Sequence, residues 1–222
     1  MEIGQVIERE YYDVEEINPR RKGITDVVAG SILFHLHGET VEKRGLYVGQ
    51  RLTPDELEDL VRQSNIDRPK SRALWLLSRQ DYTRKKLGET LRRSGFEKEW
   101  IELALDRLVE LGLIDDERFA RAYAESHSAA NMSNREIFEK LVIKGVPRAL
   151  AKEIVGELEA DPVEQIMILL EGKLNRRLNS EDGLHKVFAT LERKGFYVSD
   201  IREALNRYYD KHEFGEDNDE EF

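Results

Sequence analysis

The 222-residue chain contains no cysteine, which excludes disulfides and thiolate metal sites. No apolar run of about eighteen residues occurs, so no membrane-spanning helix is expected. The acidic start MEIGQVIEREYYDVEE lacks the basic opening and apolar stretch of a signal peptide. A cytoplasmic protein is the simplest expectation. Also missing are a glycine-rich phosphate loop, a nucleophile elbow and an HExxH motif. The acids are scattered, so the chain reads as a non-enzyme. His35 and His37 lie two apart on one strand face. They form a conceivable metal pair, but without partners at ligand spacing they read as surface or core histidines.

What is present is charge. The composition is 40% hydrophobic and 36% charged, with a formal net charge of −10. Residues 1–67 carry 8 basic and 14 acidic groups, residues 68–152 carry 18 and 13, and residues 153–212 carry 9 and 12. The last ten residues, EFGEDNDEEF, carry six acids and no base. Affinity for nucleic acid is dominated by cationic contacts, so the molecule as a whole is a poor polyanion binder. Only its middle third is basic.

Along the chain, residues 1–25 read as an acidic N-terminal arm, either flexible or supplying one strand around Gly4–Tyr12. Ile32, Phe34 and Leu36 alternate with Leu33, His35 and His37, which is strand periodicity. Gly38 and Glu39 mark a turn before Thr40 and Val41. Residues 26–66 are therefore expected to hold a β-hairpin and a lead-in helix. That helix starts at Thr53-Pro54-Asp55-Glu56, where Thr53 caps, Pro54 fits the first helical position and Glu56 reaches back as a capping box. From there to residue 212 the period is helical. The acidic tail, 213–222, is expected to be disordered.

The helical part repeats itself. At an offset of fifty residues, LRRSGF, LVIKGV and LERKGF recur at 91–96, 141–146 and 191–196. The same offset aligns Leu87, Ile137 and Val187, then Ile101, Ala151 and Ile201, then Leu105, Val155 and Leu205. One supersecondary unit is used three times. Its shared phrase is a helix stop: the glycine takes the left-handed position and the next apolar side chain packs back on the leucine. With the preceding helix, each unit has three helices, at 68–111, 114–159 and 161–212. The expected fold class is mainly α, three tandem three-helix repeats behind a small β-hairpin region.

The stretch LSRQDYTRKKL (77–87) packs four cations and one aromatic into the junction between the first two helices of the first unit. Arg92, Arg93 and Lys98 follow on nearby turns. A contact surface for phosphate or for an acidic protein patch fits these residues, and so does a solvated helix face with cations near its ends. GLIDDERFARAY (112–123) reads as a helix start capped by Asp115 or Asp116, with Phe119 and Tyr123 on one face as core packing. Trp75 and Trp100 sit in apolar stripes and are expected in the core.

The region 76–123 resembles the signature of the RecX regulatory proteins of bacteria. The matching residues are Leu77-Ser78-Arg79, Tyr82-Thr83-Arg84, Leu87, Leu91, Gly95-Phe96, Leu108, Leu111-Gly112-Leu113-Ile114-Asp115-Asp116 and Arg118-Phe119-Ala120. SNREIFEKLVIKGV (133–146) is similar to the family's second unit, and VGQRLTPDELEDL (48–60) to its lead-in. The resemblance implies an elongated, curved stack of three-helix repeats. It implies a partner, the RecA recombinase filament on single-stranded DNA, whose ATP hydrolysis and strand exchange family members inhibit without enzymatic activity or cofactor. Contact with single-stranded DNA would come through the filament, and a monomer is expected. Carried onto this chain, the partner-binding residues are Arg79, Tyr82, Arg84, Lys85, Lys86, Arg92 and Arg93. The competing reading is a helical-repeat protein that binds DNA or RNA directly. The long acidic arm, the acidic tail and the missing basic junction in the third unit depart from the family pattern.

Overall fold

A computed structural model describes residues 9–178 and 180–216. Strand β1 (Tyr12–Pro19) pairs with β2 (Ile24–Ala29), which pairs with β3 (Ile32–His37). The two-residue strand β4 (Arg51–Leu52) closes the other edge, giving a four-stranded antiparallel sheet in the order β3-β2-β1-β4. The expected hairpin is β2–β3. Its two-residue turn holds Gly30 and Ser31 at φ 57° and 66°, the type I′ geometry whose twist matches the strands.

The acidic arm is corrected by β1, since Tyr12–Pro19 and the start of β2 at Ile24 belong to the sheet, joined through a short 3-10 turn at Arg21–Gly23, and the strand begins where the Gly4–Tyr12 alternative ended. Tyr12 and Val14 are buried under it. Glu15 sits in a bulge between Val14 and Glu16, where the register with β2 shifts, and its carboxylate accepts the Ser31 backbone N–H at 2.9 Å. The turn expected at Gly38–Glu39 is also corrected: it opens helix α1 (Gly38–Arg44).

Helix α2 (Pro54–Leu77) starts with the expected capping box: Thr53 Oγ1 accepts the Glu56 N–H, and the Glu56 carboxylate accepts the Thr53 N–H. It then runs unbroken through Pro69 for 24 residues. The lead-in helix and the first helix of the first repeat are therefore one element. Pro69 lacks the amide donor for the Asn65 carbonyl and its ring crowds that carbonyl, yet the helix continues; Ser64 and Asp67 hold it to the sheet end. The Ser64 hydroxyl accepts the His37 backbone N–H at 2.7 Å, and Asp67 accepts the Thr40 hydroxyl at 2.8 Å.

Helices α3 (Arg84–Arg93) and α4 (Lys98–Glu110) pack on α2 around Ala73, Leu76, Leu87, Leu91, Ile101 and Leu105. Helices α5 (Asp116–Ala129), α6 (Asn134–Ile143) and α7 (Arg148–Gly156) enclose a second core around Ala120, Ile137, Leu141 and Ile154. A third core lies among α8 (Pro162–Glu171), the short α9 (Asn175–Leu178), α10 (Gly183–Arg193) and α11 (Val198–Glu216). The extra turn α9 was not expected. Helix α11 carries the backbone to Glu216, into the segment expected to be disordered; residues 217–222 of that tail, and 1–8 of the arm, lie outside the described residues. The chain divides into two compact units, Met1–Asp115 and Asp116–Phe222.

The repeated phrase closes three helices in the same way. Gly95, Gly145 and Gly195 have φ of 88°, 98° and 89°. Their N–H groups bond Arg92, Val142 and Glu192 carbonyls, and the following residues bond Leu91, Leu141 and Leu191 carbonyls at 3.4, 3.0 and 3.2 Å. This is the Schellman pattern. Phe96, Val146 and Phe196 each join the same core as the leucine they close on.

Candidate functional site

The basic junction is built where α2 ends and α3 begins. Thr83 is buried and caps α3, its hydroxyl accepting the Lys86 N–H at 3.2 Å. Leu87 and Leu91 turn inward, and Tyr82 packs half-buried on the same core. With the apolar stripe fixed, Lys85, Glu89, Arg92 and Arg93 recur at four, three and one on one outward face.

The seven expected residues separate into distinct roles. Arg84 is a clamp between helices: its guanidinium donates to Glu102 at 2.7 Å and to Asp106 at 2.8 Å, both on α4. Lys86 pairs with Glu89 at 3.1 Å. A hydrogen bond from Lys86 holds the Glu89 carboxyl below its ordinary range, and the charges of Lys86, Lys85 and Arg93 act in the same direction. Tyr82 covers the helix junction. Arg79 lies one residue past the cap of α2, with its guanidinium 4.4 Å from the centre of the Trp75 ring. Lys85, Arg92 and Arg93 are exposed and make no ion pair among the described residues. The structure thus brings three cations together on α3 and gives Arg84 and Tyr82 structural work.

Trp75 corrects the sequence expectation. It is 45% exposed rather than in the core, because the inward face of α2 runs through Ala73 and Leu76 and Trp75 falls off that line. Arg72, three residues earlier, lies 4.2 Å over its ring. The spacing Arg-x-x-Trp-x-x-x-Arg at 72–79 was the signal available in the sequence. Trp100 is partly buried.

Elsewhere, Phe119, Tyr123 and His127 stack along α5 at 6.1 and 3.7 Å, with Lys144 against the first two rings. Phe119 and Tyr123 pack on the second core, and burial raises the Tyr123 hydroxyl pKa. His35 is at the surface, 2.7 Å from Asp26, while His37 is buried. Among the described residues, no group of three or more histidine, cysteine or acidic side chains stands together as a metal site. No helix among them is long and apolar enough to cross a membrane. An open groove of about 390 Å³ between α10 and α11 is lined chiefly by Leu184, Phe188, Leu205 and Tyr209.

Comparison with known proteins agrees with this architecture. A family profile described as the first three-helix domain of RecX matches residues 70–108, the segment that holds the α3 cations. The chain is 26% identical over 179 residues to the regulatory protein RecX of Caldanaerobacter subterraneus subsp. tengcongensis, covering 81% of this chain and 90% of that one. It is 30% identical over 135 residues to that of Streptomyces coelicolor, covering 59% of this chain and 72% of the relative. A crystal structure of regulatory protein RecX superposes with a TM-score of 0.66 over 88% of this chain and 99% of the other, at 20% identity. That of RecX from Lactobacillus salivarius gives 0.56 over 65% and 96%, at 24% identity. The chain belongs to the RecX family of regulatory proteins.

Proposed function

We propose that this chain binds the RecA recombinase filament on single-stranded DNA and inhibits its ATP hydrolysis and strand exchange, acting in the cytoplasm as a monomer. The observation that carries the proposal is the face of α3. Lys85, Arg92 and Arg93 stand exposed and outside any ion pair among the described residues, in a chain with ten more acids than bases and inside the segment matching the family. A cationic patch on an otherwise acidic molecule favours a composite acidic surface over bare nucleic acid, because the surrounding field repels a long polyanion. Arg84 and Tyr82 shape that face from behind, and Lys86 and Arg79 border it. No group suited to catalysis is required.

The test is titration of the chain into a RecA ATPase assay driven by single-stranded DNA, beside its binding to the same DNA alone. Inhibition with weak binding to bare DNA supports a filament regulator. Absence of inhibition with tight, salt-sensitive DNA binding moves the assignment to a helical-repeat protein acting on nucleic acid directly.

A further inference from the structure

Arg68, Arg72 and Trp75 recur at four and three residues and share one outward stripe of α2. Arg79 joins them from beyond the helix end, where its N–H bonds the Leu76 carbonyl at 3.1 Å and the Ser78 hydroxyl bonds the Trp75 carbonyl at 2.8 Å. The guanidinium carbons of Arg72 and Arg79 lie 4.2 and 4.4 Å from the indole centre. Trp75 is 45% exposed and Leu74 beside it 40%. None of the three arginines makes an ion pair among the described residues, although Arg84, Arg107, Arg121 and Arg207 all find carboxylates. Cations near a helix C-terminus are common. That habit does not explain an indole left in water between two of them.

We propose that this stripe is a second docking surface, meeting the α3 face only at Arg79, for an acidic and apolar segment of a protein partner. Cation–π stacking holds the two long arginine side chains in place before binding, which lowers the entropy lost when a partner docks. Tryptophan and arginine are the residues that dominate interface energetics. The guanidinium forks suit carboxylates, which they bind through paired hydrogen bonds. The free edge of Trp75 and the side chain of Leu74 suit a leucine or phenylalanine between those carboxylates. Nucleic acid fits less well. Three arginines on a chain of net charge −10 release few counterions. Two guanidiniums also already occupy the indole's π surface, so a base must displace one in order to stack.

The full chain carrying Trp100→Phe keeps Trp75 as its single tryptophan and serves as the reporter. The probes are a short fluorescein-labelled peptide of alternating acids and leucines, its twin with glutamine and asparagine in place of the acids, and oligothymidylate. The acidic peptide is expected to shift Trp75 emission saturably, and its twin is not. By peptide anisotropy, Arg72→Glu with Arg79→Glu should weaken binding about tenfold or more, while Lys85→Glu with Arg93→Glu leaves it unchanged; circular dichroism checks the fold of each. Absence of a shift with the acidic peptide overturns the proposal. So do equal binding of the neutral twin, binding that survives the Arg72/Arg79 reversal, or tighter binding of oligothymidylate at the same residues.

Discussion

Gly95 and Gly195 close their helices with the same backbone geometry but in different surroundings. A Cβ on Gly95 meets nothing within 4 Å, whereas one on Gly195 would lie 2.9 Å from Ser133 Oγ, the hydroxyl that bonds the Lys194 carbonyl. Gly95→Ala should therefore cost about 1–2 kcal/mol of left-handed strain. Gly195→Ala should cost about 1–3 kcal/mol more from overpacking. Urea melts of the two variants check the order; equal losses would contradict it. His37 gives a pH prediction. Burial depresses its pKa below the ordinary 6.5; Glu39 and Asp67 act against the shift, and Lys43 and Arg68 with it. The unfolded chain then binds more protons than the folded one as pH falls below about 6.5, so stability rises with pH in that window. Wild type should lose stability between pH 7.5 and 5.5 more steeply than His37→Phe, read by urea melts at each pH; parallel slopes would contradict this. The helix-stopping glycines were legible in the sequence because a left-handed cap leaves a local signature. The crowding at Gly195 was not, since Ser133 is distant in sequence.

At the scale of elements, local chemistry again decided what could be read. The α2 start and the repeated helix stops depend on neighbours within a few residues, and both stand where the sequence put them. Strand β1 was missed because the bulge at Glu15 breaks the alternation between Val14 and Ile17, and its acids read as a solvated arm. The continuity of α2 past Pro69 was missed because it rests on tertiary contacts. Asp67 is the clearest of these: it accepts from Thr40 and from Gln63 at 3.1 Å while 4% exposed. Asp67→Ala leaves the buried Thr40 hydroxyl unsatisfied and should cost about 1–3 kcal/mol. It should also raise hydrogen exchange in α1 relative to α4. Unchanged exchange in α1 would show that Asp67 does not tie α1 to α2. Of the candidate site, the positions of the cations were legible. Which were already engaged was not: Arg84 meets partners 18 and 22 residues away. Trp75 was misplaced because an apolar residue was assigned inward although its position lies off the buried line.

For the whole molecule, the decisive feature is the contrast between a net charge of −10 and a local cationic face on α3 within the family-matching segment. On the proposed reading, that contrast favours a partner that offers mixed protein and phosphate chemistry over a naked strand. The α2 stripe adds a surface of different chemistry, with Trp75 exposed and stacked under Arg72 and Arg79. Retention of the chain on bead-immobilised single-stranded DNA, with and without assembled RecA, tests the central claim most directly. Retention is expected only when RecA is present, at physiological salt, and should fall about tenfold or more when Lys85, Arg92 and Arg93 are changed to glutamate. Equal retention on bare DNA, no retention on the filament, or full retention of the triple variant would contradict the account.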